Sequence, residues 1–117
     1  MYFVEGGMVA GKDGQIVLVT CKSQRQARKI ANVIVEKRLA ACVNILGGAI
    51  QSIYRWKGGV ESAKEILIVV KTMKGRLAGL EREVKRLHSY DVPEFVVLPI
   101  VAGSRGYLGW LEKSVKA

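Results

Sequence analysis

Residues 38–58 have the sequence RLAACVNILGGAIQSIYRWKG, which is the pattern of a long strand interrupted by two adjacent glycines. Tyr54 and Trp56 lie two residues apart, so an extended backbone places both side chains on one face. The opposite face carries Gln51, Ile53, Arg55 and Lys57. Neither face has the polar character expected of a solvated surface. We infer that each face of this strand packs against a partner, and that the identity of these partners bears on function.

The sequence before this segment predicts a strand followed by a helix. Apolar and β-branched residues fill positions 15–21, which is typical of a strand. Ser23 and Gln26 then have the spacing of a capping box at the start of a helix. Apolar residues recur at helical spacing as far as residue 39, so we predict a helix over residues 24–39.

The remaining elements follow from glycine positions and hydrophobic periodicity. Gly47 and Gly48 predict a bulge or bend, and residues 57–59 predict a hairpin turn. Further strands are predicted at 40–45, 50–56, 60–72 and 92–101, and further helices at 74–88 and 106–115. The order βαββαβ plus a C-terminal helix predicts an α+β fold: a ferredoxin-like sandwich with helices on one face of an antiparallel sheet.

The start of the chain differs in character from the rest. Residues 1–14 are glycine-rich and weakly patterned, so we predict a flexible N-terminal extension there. They have neither the basic region nor the long apolar region of a secretory signal. Residues 15–117 are predicted to form one domain, because the whole chain of 117 residues has the size of a single domain.

The predicted sheet is apolar on both faces. Residues 16–19, 66–70 and 95–98 are apolar at consecutive positions, whereas a strand with one solvated face alternates apolar and polar residues. The short C-terminal helix cannot cover the whole second face. We therefore predict that the chain associates with copies of itself in a closed, symmetric oligomer.

The composition limits the partners of this chain. A formal net charge of +9 attracts polyanions such as nucleic acid, an acidic membrane or an anionic ligand, but it also suits an ordinary soluble surface. RNA-recognition domains with this element order stack bases on aromatic residues of their first and third strands, and residues 15–21 and 64–72 contain none, so no nucleic-acid partner is expected. No apolar run reaches the roughly 18 residues that span a bilayer, so no membrane partner is expected.

Two cysteines and one histidine are the candidate chemical groups. Two cysteines do not make a disulfide framework, so we expect reduced thiols and a cytoplasmic protein. Cys21 ends the first strand and His88 follows the second long helix, so the two side chains can reach the same edge of the sheet. A buried apolar thiol and a structural histidine remain alternatives. No catalytic motif is present, so the chain is not expected to be an enzyme.

Five ordered segments together resemble one family, the CutA1 divalent-cation tolerance proteins. They are ARKIANVIVEKRLAACVNI (27–45), SIYRWKGGVE (52–61), EILIVVKT (65–72), HSYDVPEFVVLPI (88–100) and YLGWL (107–111). The resemblance extends over about residues 15–115. It implies a ferredoxin-like subunit in a tight homotrimer, similar to the PII signalling proteins, in which the long bent strands join sheets between subunits.

The resemblance also implies a divalent metal ligand, chiefly copper(II), and a role in metal-ion tolerance. The cysteine after the first strand and the histidine before the Tyr-x-x-Pro-Glu motif correspond to Cys21 and His88. Leu87 stands where some members have a second histidine, so Glu94, Tyr90 or water would have to complete the shell. Soft thiolate with imidazole suits copper or zinc.

A second function follows from the likeness to PII proteins. Clefts between subunits would bind either a partner protein or a small ligand, anionic ligands included. The candidate cleft residues are Tyr54, Trp56, Lys71, Tyr90 and Trp110. Interface packing is the alternative role for the two tryptophans.

Overall fold

An antiparallel sheet of five strands, with two helices packed on one face, forms the body of the chain in the computed structural model, which describes residues 7–116. The strands are β1 (Met8–Ala10), β2 (Gly14–Cys21), β3 (Cys42–Ile45), β4 (Ile50–Trp56), β5 (Gly59–Met73), β6 (Val96–Pro99) and β7 (Ala102–Ser104). The helices are α1 (Gln24–Glu36), α2 (Leu77–Leu87) and α3 (Arg105–Ser114), and a 3-10 turn (Lys74–Arg76) precedes α2.

The topology is that of a ferredoxin-like fold, as predicted from the order of the elements. The strand order β3-β5-β2-β6 places β2 and β5 at the centre, and every pairing is antiparallel. The chain leaves β2 through α1 and returns as β3 on the far side of β5, which is the split βαβ arrangement. β4 pairs with the first half of β5 as a long hairpin.

Local sequence signals set the first helix. The Ser23 hydroxyl accepts a hydrogen bond from the backbone N–H of Gln26 at 3.1 Å, so the predicted N-terminal cap is present. The helix ends at Glu36 instead of residue 39, because Arg38 adopts a left-handed conformation with φ of 58°. Its buried residues Ile30 and Ile34 pack on the sheet.

The two faces of the sheet have different neighbours. Val17, Val19 and Ile68 are fully buried beneath α1 and α2. The alternate positions form what we call the open apolar face, and they are half-buried or exposed although they are apolar. Strand register places on it Ile16, Leu18, Leu67, Val69, Val96 and Leu98. Among the described residues α3 covers only one end of this face, where the Tyr107 ring centroid lies 5.9 Å from Lys71 Nζ.

The prediction of a flexible extension over residues 1–14 is wrong for residues 8–14, which belong to the folded domain. β1 pairs with β7, from Met8 opposite Ser104 to Ala10 opposite Ala102, and Gly14 already begins β2. The backbone hydrogen bonds of this pairing attach residues 8–14 to the domain. Residues 1–6 lie outside the described residues.

The predicted last strand, 92–101, is divided in two. β6 ends at Pro99, which lacks the N–H that a continuing ladder needs, and β7 begins at Ala102 to pair with β1 instead. Among the described residues, no helix is both long and apolar enough to cross a membrane.

Candidate functional site

Cys21 and His88 lie at the same end of the sheet. Cys21 is the last residue of β2, and its side chain is fully buried in the core beneath the helices. His88 follows the last residue of α2 and is 9% exposed. Its Nε2 lies 2.7 Å from the carbonyl oxygen of Thr20, the residue next to Cys21. The imidazole therefore connects the end of α2 to the end of the first central strand.

Both ring nitrogens of His88 already have partners. Because the Thr20 carbonyl only accepts, Nε2 carries the proton and donates it. Nδ1 then has the free lone pair, and it accepts the backbone N–H of Tyr90 at 3.1 Å. The rings of His88 and Tyr90 also contact each other, with centroids 4.7 Å apart and planes tilted by 50°. A metal ion at His88 must therefore displace the Tyr90 N–H from Nδ1.

The Cys21 thiol is held in its protonated form. Burial, and secondly the negative charge of Glu65, raise the pKa of Cys21 from 9.0 to about 11. The thiolate is the metal-binding and nucleophilic form of cysteine. At neutral pH this side chain is therefore a packed core thiol.

Glu65 and Tyr90 form a pair on the opposite face of the sheet from Cys21. The Tyr90 hydroxyl donates a hydrogen bond to Glu65 Oε2 at 3.0 Å. Burial and this bond raise the pKa of Tyr90 to about 12, so the hydroxyl keeps its proton. Glu65 is 8% exposed and lies at the point where β5 passes from the hairpin into the central sheet.

These groups open into a cleft of about 600 Å³ between the β4–β5 hairpin and the loop after His88. We call it the acidic cleft, and its lining residues are Thr20, Ser52, Ile53, Tyr54, Trp56, Glu65, Tyr90, Asp91, Val92 and Glu94. The structure thus brings together four of the residues predicted from sequence: Tyr54, Trp56, Tyr90 and Glu94.

Two predicted cleft residues, Lys71 and Trp110, lie elsewhere. Lys71 Nζ donates to Asn44 Oδ1 at 2.6 Å on the open apolar face. Trp110 is on α3, and its ring centroid is 5.4 Å from that of Tyr107. Neither side chain lines the acidic cleft. The two sets of candidates therefore belong to different ends of the molecule.

The predicted metal ligands do not form one coordination shell in the chain as described. Cys21 is in the core and His88 is bonded at both nitrogens, whereas Glu94 lines the acidic cleft. Within residues 7–116, no three His, Cys, Asp or Glu side chains are grouped so that they could hold a metal ion.

The chain matches the family model described as CutA1 divalent ion tolerance protein over residues 15–114. It belongs to the CutA1 family. A curated relative, the divalent-cation tolerance protein CutA of Thermus thermophilus, is 50% identical over 86% of this chain and 96% of its own length. The solved Thermus thermophilus CutA1 structure superposes with a TM-score of 0.85 at 48% identity, over 88% of this chain and 99% of that one.

CutA1 relatives also occur in longer chains. The chloroplastic CutA protein of Arabidopsis thaliana is 46% identical over 86% of this chain, but the match spans only 55% of the plant protein.

The solved CutA of Synechococcus elongatus superposes with a TM-score of 0.87 at 34% identity, over 93% of this chain and 96% of that one. The fold and the family assignment of the sequence therefore both hold.

Sequence reasoning missed Glu65 and Asp91 as members of the site. A signal for Glu65 was present, because it is a single carboxylate at the start of the apolar run ILIVV. Residues of this type that lie in an apolar strand are buried only with a partner. Asp91 had no comparable signal, since acidic residues are common in loops.

Proposed function

We propose that this chain contributes to divalent-cation tolerance as a closed homotrimer, and that copper(II) is the ion it binds. Membership of the CutA1 family supports the role, and one relative bears the name divalent-cation tolerance protein. The main observation in support of this assembly is the open apolar face. It exposes 45% of Val96 and 44% of Leu98 in the isolated chain.

The β4–β5 hairpin also supports assembly. Ile53 is 70% exposed and Val60 is 68% exposed, although both lie in regular strands. Apolar patches of this kind on a soluble domain are typical of interaction surfaces. Association through the hairpin and the open apolar face would remove both from water, and a ring of identical contacts closes without leaving an edge.

Sedimentation of the tag-free protein at micromolar concentration tests the assembly. We expect a single species of three times the 12.8 kDa subunit mass. A monomeric mass at that concentration would contradict the proposal.

Copper(II) binding is proposed through Cys21, His88 and Glu94, and the arrangement within one chain predicts that it is weak at neutral pH. The thiol must lose a proton that burial and Glu65 hold, and Nδ1 of His88 must give up the Tyr90 N–H. Glu94 lines the acidic cleft, which Cys21 and His88 do not. These residues do not fit copper as they stand, so binding requires rearrangement.

Isothermal titration of freshly reduced, tag-free protein with copper(II) tests this site. We expect weak binding that the His88→Ala and Cys21→Ser substitutions remove. Cys42→Ser is the matched control, since Cys42 lies on β3 away from His88. Binding that persists unchanged in the His88→Ala variant would contradict the site.

We further propose a non-catalytic role in the cytoplasm, with neither nucleic acid nor membrane as partner. Two features support this role: both cysteines are free, and the protonated Cys21 and doubly bonded His88 are poorly placed to act as nucleophile and base. Assays of the recombinant protein for hydrolase and transferase activity test this role. We expect no turnover, and turnover that the His88→Ala substitution abolishes would contradict the role.

The acidic cleft favours a second candidate function, which is the binding of a small ligand or a partner protein in the manner of PII-like trimers. Three of the predicted cleft residues, Tyr54, Trp56 and Tyr90, line this one cavity. Its size is within the usual range for small-molecule sites.

A further inference from the structure

We propose that residues 7–11 act as a latch for the C-terminal helix α3. We call this segment the N-terminal strap. While the strap is paired with β7, it fixes the start of α3 over one end of the open apolar face. When the strap detaches, the first turns of α3 loosen and the central sheet stays folded. The strap precedes residues 15–114, which match the family model, so family membership does not predict it.

The N-terminal strap is attached by backbone hydrogen bonds to the segment that leads into α3. The Arg105 N–H donates to the Gly7 carbonyl oxygen at 2.8 Å. At the other end of the strap, the Gly11 N–H donates to the Val101 carbonyl oxygen, also at 2.8 Å. Hydrogen-bonded pairs recur at every second position of an antiparallel ladder, so Val9, midway between these two, belongs to a third such pair.

One of these bonds caps α3 itself. Arg105 is the first residue of α3, where backbone N–H groups have no partner within the helix, and the Gly7 carbonyl oxygen supplies that partner. Ser104 is both the N-cap of α3 and the last residue of β7, where it lies opposite Met8. Its hydroxyl accepts the Tyr107 N–H at 3.4 Å. Detachment of the strap therefore removes support from the first turn of the helix.

The other end of α3 has a separate attachment. Arg38 Nη1 donates to the Ser114 carbonyl oxygen at 3.2 Å, and Arg76 Nε donates to the Val115 carbonyl oxygen at 2.7 Å. Cationic groups at the C-terminal end of a helix pair with its free carbonyls and with its dipole. Because this end is held independently of the N-terminal strap, opening of the strap loosens the start of α3 and leaves its last turn in place.

The N-terminal strap contributes little to the hydrophobic core. Positions 7, 8 and 10 are exposed and Val9 is half-buried, and none of them belongs to the core cluster around α1 and α2. Val9 lines a cavity of about 300 Å³ together with Leu108 and Leu111 of α3, so the strap and the helix do not pack closely. Short terminal segments with few buried apolar contacts open before the core of a domain. The strap can therefore detach without unfolding the sheet.

Hydrogen exchange of the assembled, tag-free wild-type protein, followed by mass spectrometry, tests the latch without any substitution. We expect the amides of residues 7–11 and 102–108 to open with the same free energy, and to exchange faster than those of β2 and β5. Low urea concentrations should hardly change the exchange of the strap and the start of α3, because detachment exposes little surface.

The Val9→Pro variant tests whether the N-terminal strap controls α3. Proline removes the N–H at the centre of the ladder, so exchange of residues 105–108 should accelerate about tenfold, the usual effect of losing one hydrogen bond. The matched control is Met8→Pro, because the Met8 N–H points away from β7 in the same ladder. This control should leave exchange in α3 unchanged.

Three results would overturn the latch. The first is a start of α3 that is as strongly protected as β2 and β5 in the wild type, and this result stands even if Val9→Pro does not fold. The second is unchanged exchange of residues 105–108 in Val9→Pro, which would show that α3 opens independently of the strap. The third is equal acceleration by the two proline variants. The latch does not depend on copper, because Cys21 and His88 lie in neither the strap nor α3.

Discussion

At the scale of single residues, Glu65 influences the chemistry at this end of the sheet. It accepts the Tyr90 hydroxyl, and its charge raises the pKa of both Cys21 and Tyr90. His88 contributes through two hydrogen bonds that hold the end of α2 and the following loop. Of the residues that resemble a metal site, Cys21 is thus packed in the core and His88 is hydrogen-bonded to Thr20 and Tyr90.

The raised pKa of Cys21 predicts a loss of stability at high pH. The folded chain keeps the thiol proton up to about pH 11, whereas the unfolded chain releases it near pH 9. The contribution is therefore complete below pH 9 and is lost as pH rises through the folded pKa. Urea unfolding between pH 8 and 11, at constant protein concentration, should show a fall of at most about 1.4 kcal/mol per pH unit from this group.

The Cys21→Ala variant isolates this effect from that of Tyr90, which acts in the same direction. Its free energy of unfolding should fall less steeply over the same pH range. Identical slopes in variant and wild type would contradict the assignment.

At the scale of elements, the β1–β7 pair shows a short strand held by backbone contacts. Gly11 follows β1, and its N–H donates to the Val101 carbonyl oxygen at 2.8 Å. Its carbonyl oxygen accepts the N–H of Gly14, also at 2.8 Å. The backbone of Ile100 passes so close that a Cβ on Gly11 would overlap its carbonyl oxygen. Only glycine fits this crossing.

Gly11→Ala is therefore expected to destabilise the chain by about 1–3 kcal/mol, the usual cost of forced overpacking. Gly109→Ala is the matched control, because nothing lies within 4 Å of a Cβ at this position in α3. Since alanine favours helix over glycine, the control should stabilise by about 0.5–1 kcal/mol. Thermal unfolding of both variants checks the pair, and an unchanged Gly11→Ala midpoint would show that β1 does not dock as described.

At the scale of the whole molecule, the sheet has one face covered by its own helices and one that is largely uncovered. β2 and β5 are apolar on both faces, yet α1 and α2 both pack on the same one. Within residues 7–116, the one helix that remains is the ten-residue α3, which is too short to cover the second face. The hydrophobic effect then favours association, and the apolar hairpin extends the surface available for it.

Leu98→Lys should weaken the assembly, because it places a charge on β6 within the open apolar face. Val35→Lys is the control, since Val35 is 39% exposed on α1, against 44% for Leu98. Sedimentation should show a lower mean mass for Leu98→Lys and an unchanged mass for Val35→Lys. Equal masses, with circular dichroism showing both variants folded, would place the interface elsewhere.

Much of the fold was predictable because its signals are local. The cap at Ser23, the β4–β5 hairpin and the apolar repeats of α1 and α2 each lie within a few residues of sequence. The end of α1 and the docking of β1 were not predictable in this way. The first depends on a left-handed residue, Arg38, and the second on a partner strand over ninety residues away.

The sequence by itself determined the α+β class, the βαββαβ order of the central elements, the family and the apolar character of both sheet faces, because periodicity and motif spacing are properties of the chain. Only the tertiary structure decided which candidates share a site. Strand register joined Thr20, Glu65 and the hairpin aromatics to the loop at residues 90–94, and it separated them from Lys71 and Trp110. The sign of the cleft's charge depends on that long-range register, which no local pattern encodes.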